Sequence, residues 1–380
     1  MALVDCDQHL YETRTLWSDY ADPADRELAL GIVDDDRGYA WLRWQGRPLQ
    51  LCDVQLPHDT MALGDHRNRY RDGLPATYSY DEVLPEDYWA PKARLVRARA
   101  MGFDEAVVFP NYGLIWERAL SGSLPALKAN MAAWNRWCAV VVEETGGALH
   151  PVGHVTLRDS RWLDEQLRLL AAGGVRLAFV APALVDGRPL SHPDHDPIWQ
   201  AFVEHGIAPV FHTADQPRAF DDAWYTDPED AIVPVLDSIF LWTPAALSIT
   251  DLILNATFDR HPGLRIGIIE LGSIWVPMYL LMLDGGSDFT TRLNGRPIAK
   301  LRKRPSEYFR DHVRVASFSY ERPEHLIRGA GDIFMACSDY PHSEGTDTPV
   351  ADYASAGCEA APGTAFFGGN IGFLLGQRTS

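Results

Sequence analysis

The chain has 380 residues, 46% hydrophobic and 23% charged, which is the composition of a folded globular protein long enough to bury a large core. Its formal net charge is −18, from 34 Lys+Arg against 52 Asp+Glu, and no basic run stands out. Nucleic acid and anionic membrane are bound through clustered Lys and Arg, so neither is an expected partner, and a small-molecule substrate is expected instead.

Five cysteines (Cys6, Cys52, Cys138, Cys337 and Cys358) are scattered without a CxxC pair, which fits reduced thiols. MALVDCDQHL lacks the apolar run of a signal peptide, and no stretch approaches the ~20 apolar residues of a membrane span. A cytoplasmic location is expected.

Short apolar runs alternate with helical patterns along the chain. The first predicted strand is Leu3–Asp7. After it, Leu28–Leu56 carries DDDRG and GRP turns between LGIV, YAWLRW and LQLCDV, and reads as a small β-hairpin insertion (28–56) that either trims the barrel mouth or covers a substrate. The next strands are Glu105–Pro110, Leu149–Val155, Val175–Val180, Ile207–His212, Leu264–Glu270, Val313–Phe318 and Ile333–Asp339. Helical stretches such as Tyr88–Met101, Leu124–Glu144, Trp162–Ala172, Pro197–His205 and Ala245–Arg260 separate them, and Gly102, Gly174, Gly206 and Gly263 fit helix C-caps. Eight strands joined by helix-length segments predict a closed (β/α)8 TIM barrel as one domain over 1–380. A C-terminal extension, 346–380, is rich in Ala and Gly and is expected to pack short helices against the barrel.

A barrel interior is apolar, so polar residues at strand C-termini carry information. Asp7 and His9 end the first strand, and in extended chain residues i and i+2 point the same way. His212 ends the fifth strand in PVFHT, Asp339 ends the eighth in CSDYPH, and Glu270 ends the sixth in RIGIIE. Singly, each reads equally as a buried structural group. Together, Asp7, His9, His212 and Asp339 supply the nitrogen and oxygen ligands of one divalent ion, with an open position for water. Zn²⁺ is the first expectation, with Mn²⁺, Fe²⁺ and Co²⁺ also compatible. Only Lys92, Lys128, Lys300 and Lys303 occur, none at the end of the fourth strand, so a carbamylated lysine bridging two metals is not available there. A buried Glu270 needs a partner; it reads as a ligand, a general base or a structural group. Asp339, Glu270 and His212 are the candidate catalytic residues. His342, Trp275, Trp116 and Tyr112 are candidate substrate contacts. His154 is a weaker candidate, and His58 and His66 are undecided.

DCDQHLYET, PLSHPDHDPIWQAFVEHGIAPVFHTA, FMACSDYPHSEG and GGNIGFLLG together resemble the amidohydrolase family 2 branch of the amidohydrolase superfamily, which contains aminocarboxymuconate-semialdehyde decarboxylase and γ-resorcylate decarboxylase. The resemblance implies a barrel that binds one divalent metal, usually zinc, through Asp7, His9, His212 and Asp339, and it implies a homodimer. The family's decarboxylases carry a histidine at the end of the sixth strand, where this chain has Glu270 in IELGS. The first expectation is therefore a hydrolase using metal-activated water on a carbonyl-containing, aromatic or carboxylated substrate. Non-oxidative decarboxylation of an aromatic or unsaturated acid is the alternative, and a non-catalytic metal-binding barrel is the third reading.

Overall fold

The computed structural model describes residues 2–57, 60–227, 233–297 and 299–377. Eleven strands occur among them: β1 (Val4–Leu10), β2 (Gly31–Asp34), β3 (Ala40–Trp44), β4 (Arg47–Leu51), β5 (Glu105–Pro110), β6 (Leu149–His154), β7 (Leu177–Phe179), β8 (Ala208–Phe211), β9 (Ile266–Ile268), β10 (Val313–Ser317) and β11 (Phe334–Ala336). β1 and β5 to β11 form one parallel sheet in chain order, with helices between successive strands. Strands β1 and β11 meet through a Gln8–Tyr340 bridge, and Asp339 N–H donates to Asp7 O at 2.9 Å. The sheet thus closes into the (β/α)8 barrel, with every barrel strand on a predicted apolar run.

Alternation along the strands divides the core. On β5, Val107 and Phe109 join Cys6, Val152, Leu177, Phe179, Val210 and Met335 inside the barrel, while Ala106 and Val108 pack outward against helices. Strand β1 breaks this alternation. Its register against β5 shifts between Asp5 and Gln8, so three β1 steps oppose two on β5. Val4 and Cys6 face the interior below this bulge, and Asp7 and His9 face it above. A regular strand with Cys6 inside would have sent Asp7 and His9 out toward the helices. The bulge re-aims both at the axis.

The insertion is larger than the expected hairpin. Strands β2, β3 and β4 form a three-stranded antiparallel sheet of two successive hairpins. The second turns on Gln45-Gly46, both at positive φ (48° and 77°), the geometry of a two-residue hairpin. The tail supplies a helix (Pro349–Ser355), a wide turn (Ala365–Gly369) and a final helix (Asn370–Leu374). Ile371 and Leu374 enter the interior cluster, and Asn370 donates to Phe334 O at 2.8 Å, so the tail plugs the barrel's N-terminal end. Gly102, Gly174 and Gly206 take the left-handed φ expected after helices. Gly263 is small for another reason, since a Cβ there would lie 2.9 Å from Val203 Cγ1. Among the described residues, no helix is long and apolar enough to cross a membrane.

Candidate active site

Four barrel strands deliver polar residues to one point above the axis: Asp7 and His9 on β1, His212 just after β8, Glu270 after β9 and Asp339 after β11. His9 Nε2 lies 3.5 Å from Asp7 Oδ1, 3.3 Å from Asp339 Oδ1 and 3.5 Å from Glu270 Oε2. His212 Nε2 lies 3.5 Å from Asp7 Oδ1 and 2.9 Å from Glu270 Oε2. Asp7, His9, His212 and Asp339 are fully buried. The donor atoms form two overlapping groups, Asp7–His9–His212–Glu270 and His9–Glu270–Asp339–His342, with all atoms in each within 4.8 Å of one another.

The residues fit a cation. Both Asp7 oxygens, both Asp339 oxygens, Glu270 Oε2, His9 Nε2 and His212 Nε2 are buried without a hydrogen-bond partner, although they crowd together. Their lone pairs converge without being aligned on one another's protons. The opposite nitrogen of each imidazole is spoken for: His9 Nδ1 bonds Pro110 O at 3.0 Å and His212 Nδ1 bonds Thr213 O at 3.2 Å. A carbonyl partner requires the proton on Nδ1, which leaves Nε2 free as a ligand, the usual outer support of metal-bound histidine. Three buried carboxylates with no cation would carry a severe desolvation penalty.

Without a metal the centre compensates through its own protons. Burial pulls the imidazoles down, but Asp339, Asp7 and Glu270 outweigh it and hold His9 well above its ordinary range. His212 is likewise pushed up to about 9, against burial, by Glu270 and Asp7. Burial raises the Glu270 carboxyl, yet His212 and His9 bring it below the ordinary carboxylate range. Asp339 rises to about 6 through burial and the Glu270 charge.

Backbone geometry at the two carboxylates is unusual. Glu270 (φ 53°) and Asp339 (φ 56°) are left-handed non-glycine residues, a conformation that costs roughly 1–3 kcal/mol and clusters at functional sites. The loop after Asp339 folds back tightly, through a cis Tyr340–Pro341 bond and a bond from His342 N–H to Asp339 O. A Cβ at Gly345 would lie 2.6 Å from the carbonyl oxygens of both Ser338 and Asp339, so the glycine of SDYPHSEG is a packing requirement.

Above the centre opens a cavity of about 1120 Å³. Its lining includes Glu270 and His342 of the centre, Tyr112 and Leu114 after β5, Trp41, Leu49 and Leu51 of β3 and β4, and Phe240 and Leu241. The insertion is therefore a wall of the pocket. Gln55, just beyond β4, accepts from Ser343 N–H at 3.0 Å and ties that wall to the Asp339 loop.

The predicted substrate contacts separate. His342 lies in the pocket, its Nδ1 2.8 Å from Asp339 Oδ1, its Nε2 2.9 Å from Asn111 Oδ1, and its ring centroid 4.0 Å from that of His9. Tyr112 also lines the cavity, its hydroxyl donating to Asp53 O. Trp116 does not: it is fully buried and stacked on His154 with centroids 4.9 Å apart. Trp275 is also outside the lining, stacked on Trp242 at 5.4 Å with its indole N–H donated to Gly272 O. Both indoles are packed in the hydrophobic core outside the cavity lining. His154 is buried beside Trp116, and desolvation pushes its imidazole down to about 3. His66 is buried between Tyr39 and Tyr78, and His58 lies outside the described residues. At the end of β7, the Phe179 ring sits 6.2 Å from that of His212, and no lysine is present.

Sequence reasoning missed the groups that hold the site. Buried Glu12 accepts from Tyr112 N–H at 2.9 Å and Gly113 N–H at 2.8 Å, pinning the loop after β5 to β1. Asp215 accepts from Glu117 N–H and Arg118 N–H, joining the loop after β8 to that same loop. Glu12 stood inside the quoted segment DCDQHLYET, but Asn111, Gln55 and Asp215 carried no local signal.

A parallel eight-fold barrel with an N/O donor cluster buried at its C-terminal mouth defines the class: a TIM-barrel scaffold with a candidate mononuclear metal centre. The amidohydrolase family profile matches residues 4–371, and the chain belongs to that family. Solved structures share the fold, among them the following three. An amidohydrolase from Mycobacterium avium subsp. paratuberculosis K-10 is 21% identical over 98% of this chain and 99% of its own, with a TM-score of 0.73. The 5-carboxyvanillate decarboxylase of Novosphingobium aromaticivorans, solved with manganese and 4-hydroxy-3-methoxy-5-nitrobenzoic acid, is 18% identical over 99% of this chain and 96% of its own, with a TM-score of 0.64. The 2,6-dihydroxybenzoate decarboxylase of Rhizobium is 16% identical over 99% of both chains, with a TM-score of 0.61. No curated protein matches the sequence.

Proposed function

We propose that this protein is a divalent-metal-dependent, non-oxidative decarboxylase of an aryl or unsaturated carboxylic acid. The observation that carries this reading is the convergence of buried, unpartnered ligand atoms from Asp7, His9, His212, Glu270 and Asp339 beneath a largely apolar pocket. The naming of several fold relatives as decarboxylases supports it over the hydrolytic reading expected first. Three carboxylates with two imidazoles make an oxygen-rich set, which favours harder ions, so Mn²⁺ displaces Zn²⁺ as the leading candidate.

When bound, the ion supplies a Lewis acid for the substrate's carboxylate and an adjacent oxygen. The chain's own groups do the rest. Leu114 and Tyr112 present apolar surface for a flat ring beside the centre. Asp339 and His342, 2.8 Å apart, form the proton-carrying pair, and only His342 of the two lines the cavity. Asn111 fixes the His342 ring, so a proton on this pair is held at a set position. The carbon that loses CO2 takes that proton.

Hydrolysis is the second reading, and Glu270 favours it. This carboxylate is the one acidic ligand that lines the cavity, where it could take a proton from water. The test is CO2 release from a panel of hydroxybenzoates and unsaturated acids by Mn²⁺-loaded protein, set against hydrolysis of matched esters and amides. Ester or amide turnover without CO2 release would reverse the order of the two readings.

A further inference from the structure

Asp5 is a fully buried carboxylate that the chemistry above does not use. Val4 and Cys6 face the barrel interior, so Asp5 between them points to the outer side of β1. Opposite it on that side stand Ala106 and, further along β5, Val108, both apolar. An aliphatic side chain would serve packing there, and burying a carboxylate is costly unless its oxygens are satisfied. They are satisfied by the ligand-bearing segments. Asp5 Oδ1 accepts from Asp7 N–H at 3.1 Å and from Ser338 N–H at 3.0 Å, and Oδ2 accepts from Gln8 Nε2 at 2.8 Å. These donors are Asp7 itself, the residue between Asp7 and His9, and the residue directly before Asp339.

The bonds fall on the β1 bulge. The register against β5 slips between Asp5 and Gln8, the span that the carboxylate bridges. A bulge leaves its extra residue out of the ladder, so an amide there needs another acceptor. Asp5 is that acceptor for Asp7, through the i to i+2 side-chain bond that aspartate makes readily. The same oxygen holds Ser338, beside the bond from Asp339 N–H to Asp7 O. Gln8 carries the network outward. Its Oε1 lies 3.5 Å from Nη1 of Arg94, a fully buried arginine on the helix Pro91–Ala100. Arg94 also donates to Tyr340 O at 3.3 Å and to Asp87 O at 2.7 Å, and Tyr340 O accepts from His9 N–H at 2.8 Å.

We propose that Asp5 is a positioning residue: its carboxylate locks the bulge and the seam between β1 and β11, and so fixes the aim of Asp7, His9 and Asp339. Asp5 belongs to neither group of converging donor atoms, so it acts through these residues and not on the ion. The proposal rests on the metal-centre reading of the site.

The test compares Asp5→Ala, Asp5→Asn and Leu167→Ala in the full-length protein. Leu167 is fully buried in the outer core on the helix Ser160–Ala172, and its truncation sets what a general loss of stability does. Asp5→Ala should lower Mn²⁺ affinity on the order of 100-fold and change the visible spectrum of the Co²⁺-loaded protein, which reports coordination geometry. Asp5→Asn keeps an oxygen for both N–H groups and should stay within about tenfold of wild type. Leu167→Ala should lower the melting temperature and leave affinity and spectrum unchanged. Hydrogen exchange of metal-free protein gives a reading independent of metal. Peptides spanning 3–10 and 334–341 should both exchange faster in Asp5→Ala and not in Leu167→Ala. If Asp5→Ala does not fold, Asp5→Ser carries the same comparisons, since its shorter side chain can keep only the local bond to Asp7 N–H. Wild-type affinity and spectrum in folded Asp5→Ala overturn the proposal, as do equal losses in Asp5→Asn and Asp5→Ala. Losses that merely track melting temperature across all variants do the same. A wild type that binds no metal fails the metal-centre reading instead, and unchanged exchange in Asp5→Ala then overturns the lock itself.

Discussion

Glu270→Gln separates ligand from base at the position where the two reaction readings diverge. The substitution keeps the shape of the side chain and removes one negative charge from a buried centre. Glu270 Oε2 lies 2.9 Å from His212 Nε2, and a unit pair at that distance attracts by about 6 kcal/mol at an effective dielectric of about 20. That figure is a ceiling, because Asp7 and Asp339 keep two charges in the centre and water fills part of the loss. If Glu270 acts through the centre's charge and shape, metal affinity falls about 10–100-fold, equivalent to about 1.4–2.8 kcal/mol. Turnover at saturating Mn²⁺ then stays within about tenfold of wild type. If Glu270 removes a proton from water, the rate falls about 10²–10⁴-fold while metal remains stoichiometric. Calorimetric metal titration and initial rates at saturating metal give the two numbers independently. A variant that holds one metal per chain yet loses more than about 10³-fold in rate refutes the proposed assignment of proton transfer to Asp339 and His342.

Other consequences follow from the same geometry. His212→Ala removes a buried nitrogen donor, and elemental analysis should find substoichiometric metal together with loss of turnover; full activity in a metal-free variant would refute the metal centre. Metal-free protein should lose stability as pH rises from about 6.5 to about 9. The sign follows from His212, whose folded pKa is raised: its contribution is complete below the unfolded value and disappears through the folded one. Thermal melts of chelated protein check this, and metal-loaded protein should lack the decline. Gly345→Ala puts a Cβ against two carbonyl oxygens, so the Asp339 loop must shift, and metal affinity should fall more than melting temperature. Trp275→Phe removes only the bond to Gly272 O and part of the stacking on Trp242. It should cost about 1 kcal/mol of stability and leave KM unchanged; a large KM effect would return Trp275 to the substrate pocket.

The barrel and the candidate ligands were legible because both rest on a contrast confined to a few consecutive residues. A run such as RIGII or PVF can be read as a buried strand, and the first polar residue after it stands out against an apolar approach. His212, Glu270 and Asp339 are all of that kind. The same contrast does not exist for aromatic residues, which satisfy a core and a pocket equally well. Trp116, Trp275 and Tyr112 looked alike in the sequence, and only the tertiary packing put the two indoles in the core and Tyr112 in the cavity lining. The supporting contacts are further still from sequence, since Asn111 with His342 and Gln55 with Ser343 join segments 231 and 288 residues apart. The bulge in β1 is the most instructive case. The i, i+2 rule places Asp7 and His9 on a common side, but it cannot say which side. One extra residue, visible only in the pairing of β1 with β5, turns that pair from the helices toward the axis. The candidate ligand set of this centre therefore depends on a register shift as much as on residue type. Deleting Asp7 would straighten β1 with Cys6 and His9 both facing the axis, and would remove one candidate ligand while leaving the apolar pattern of the barrel intact.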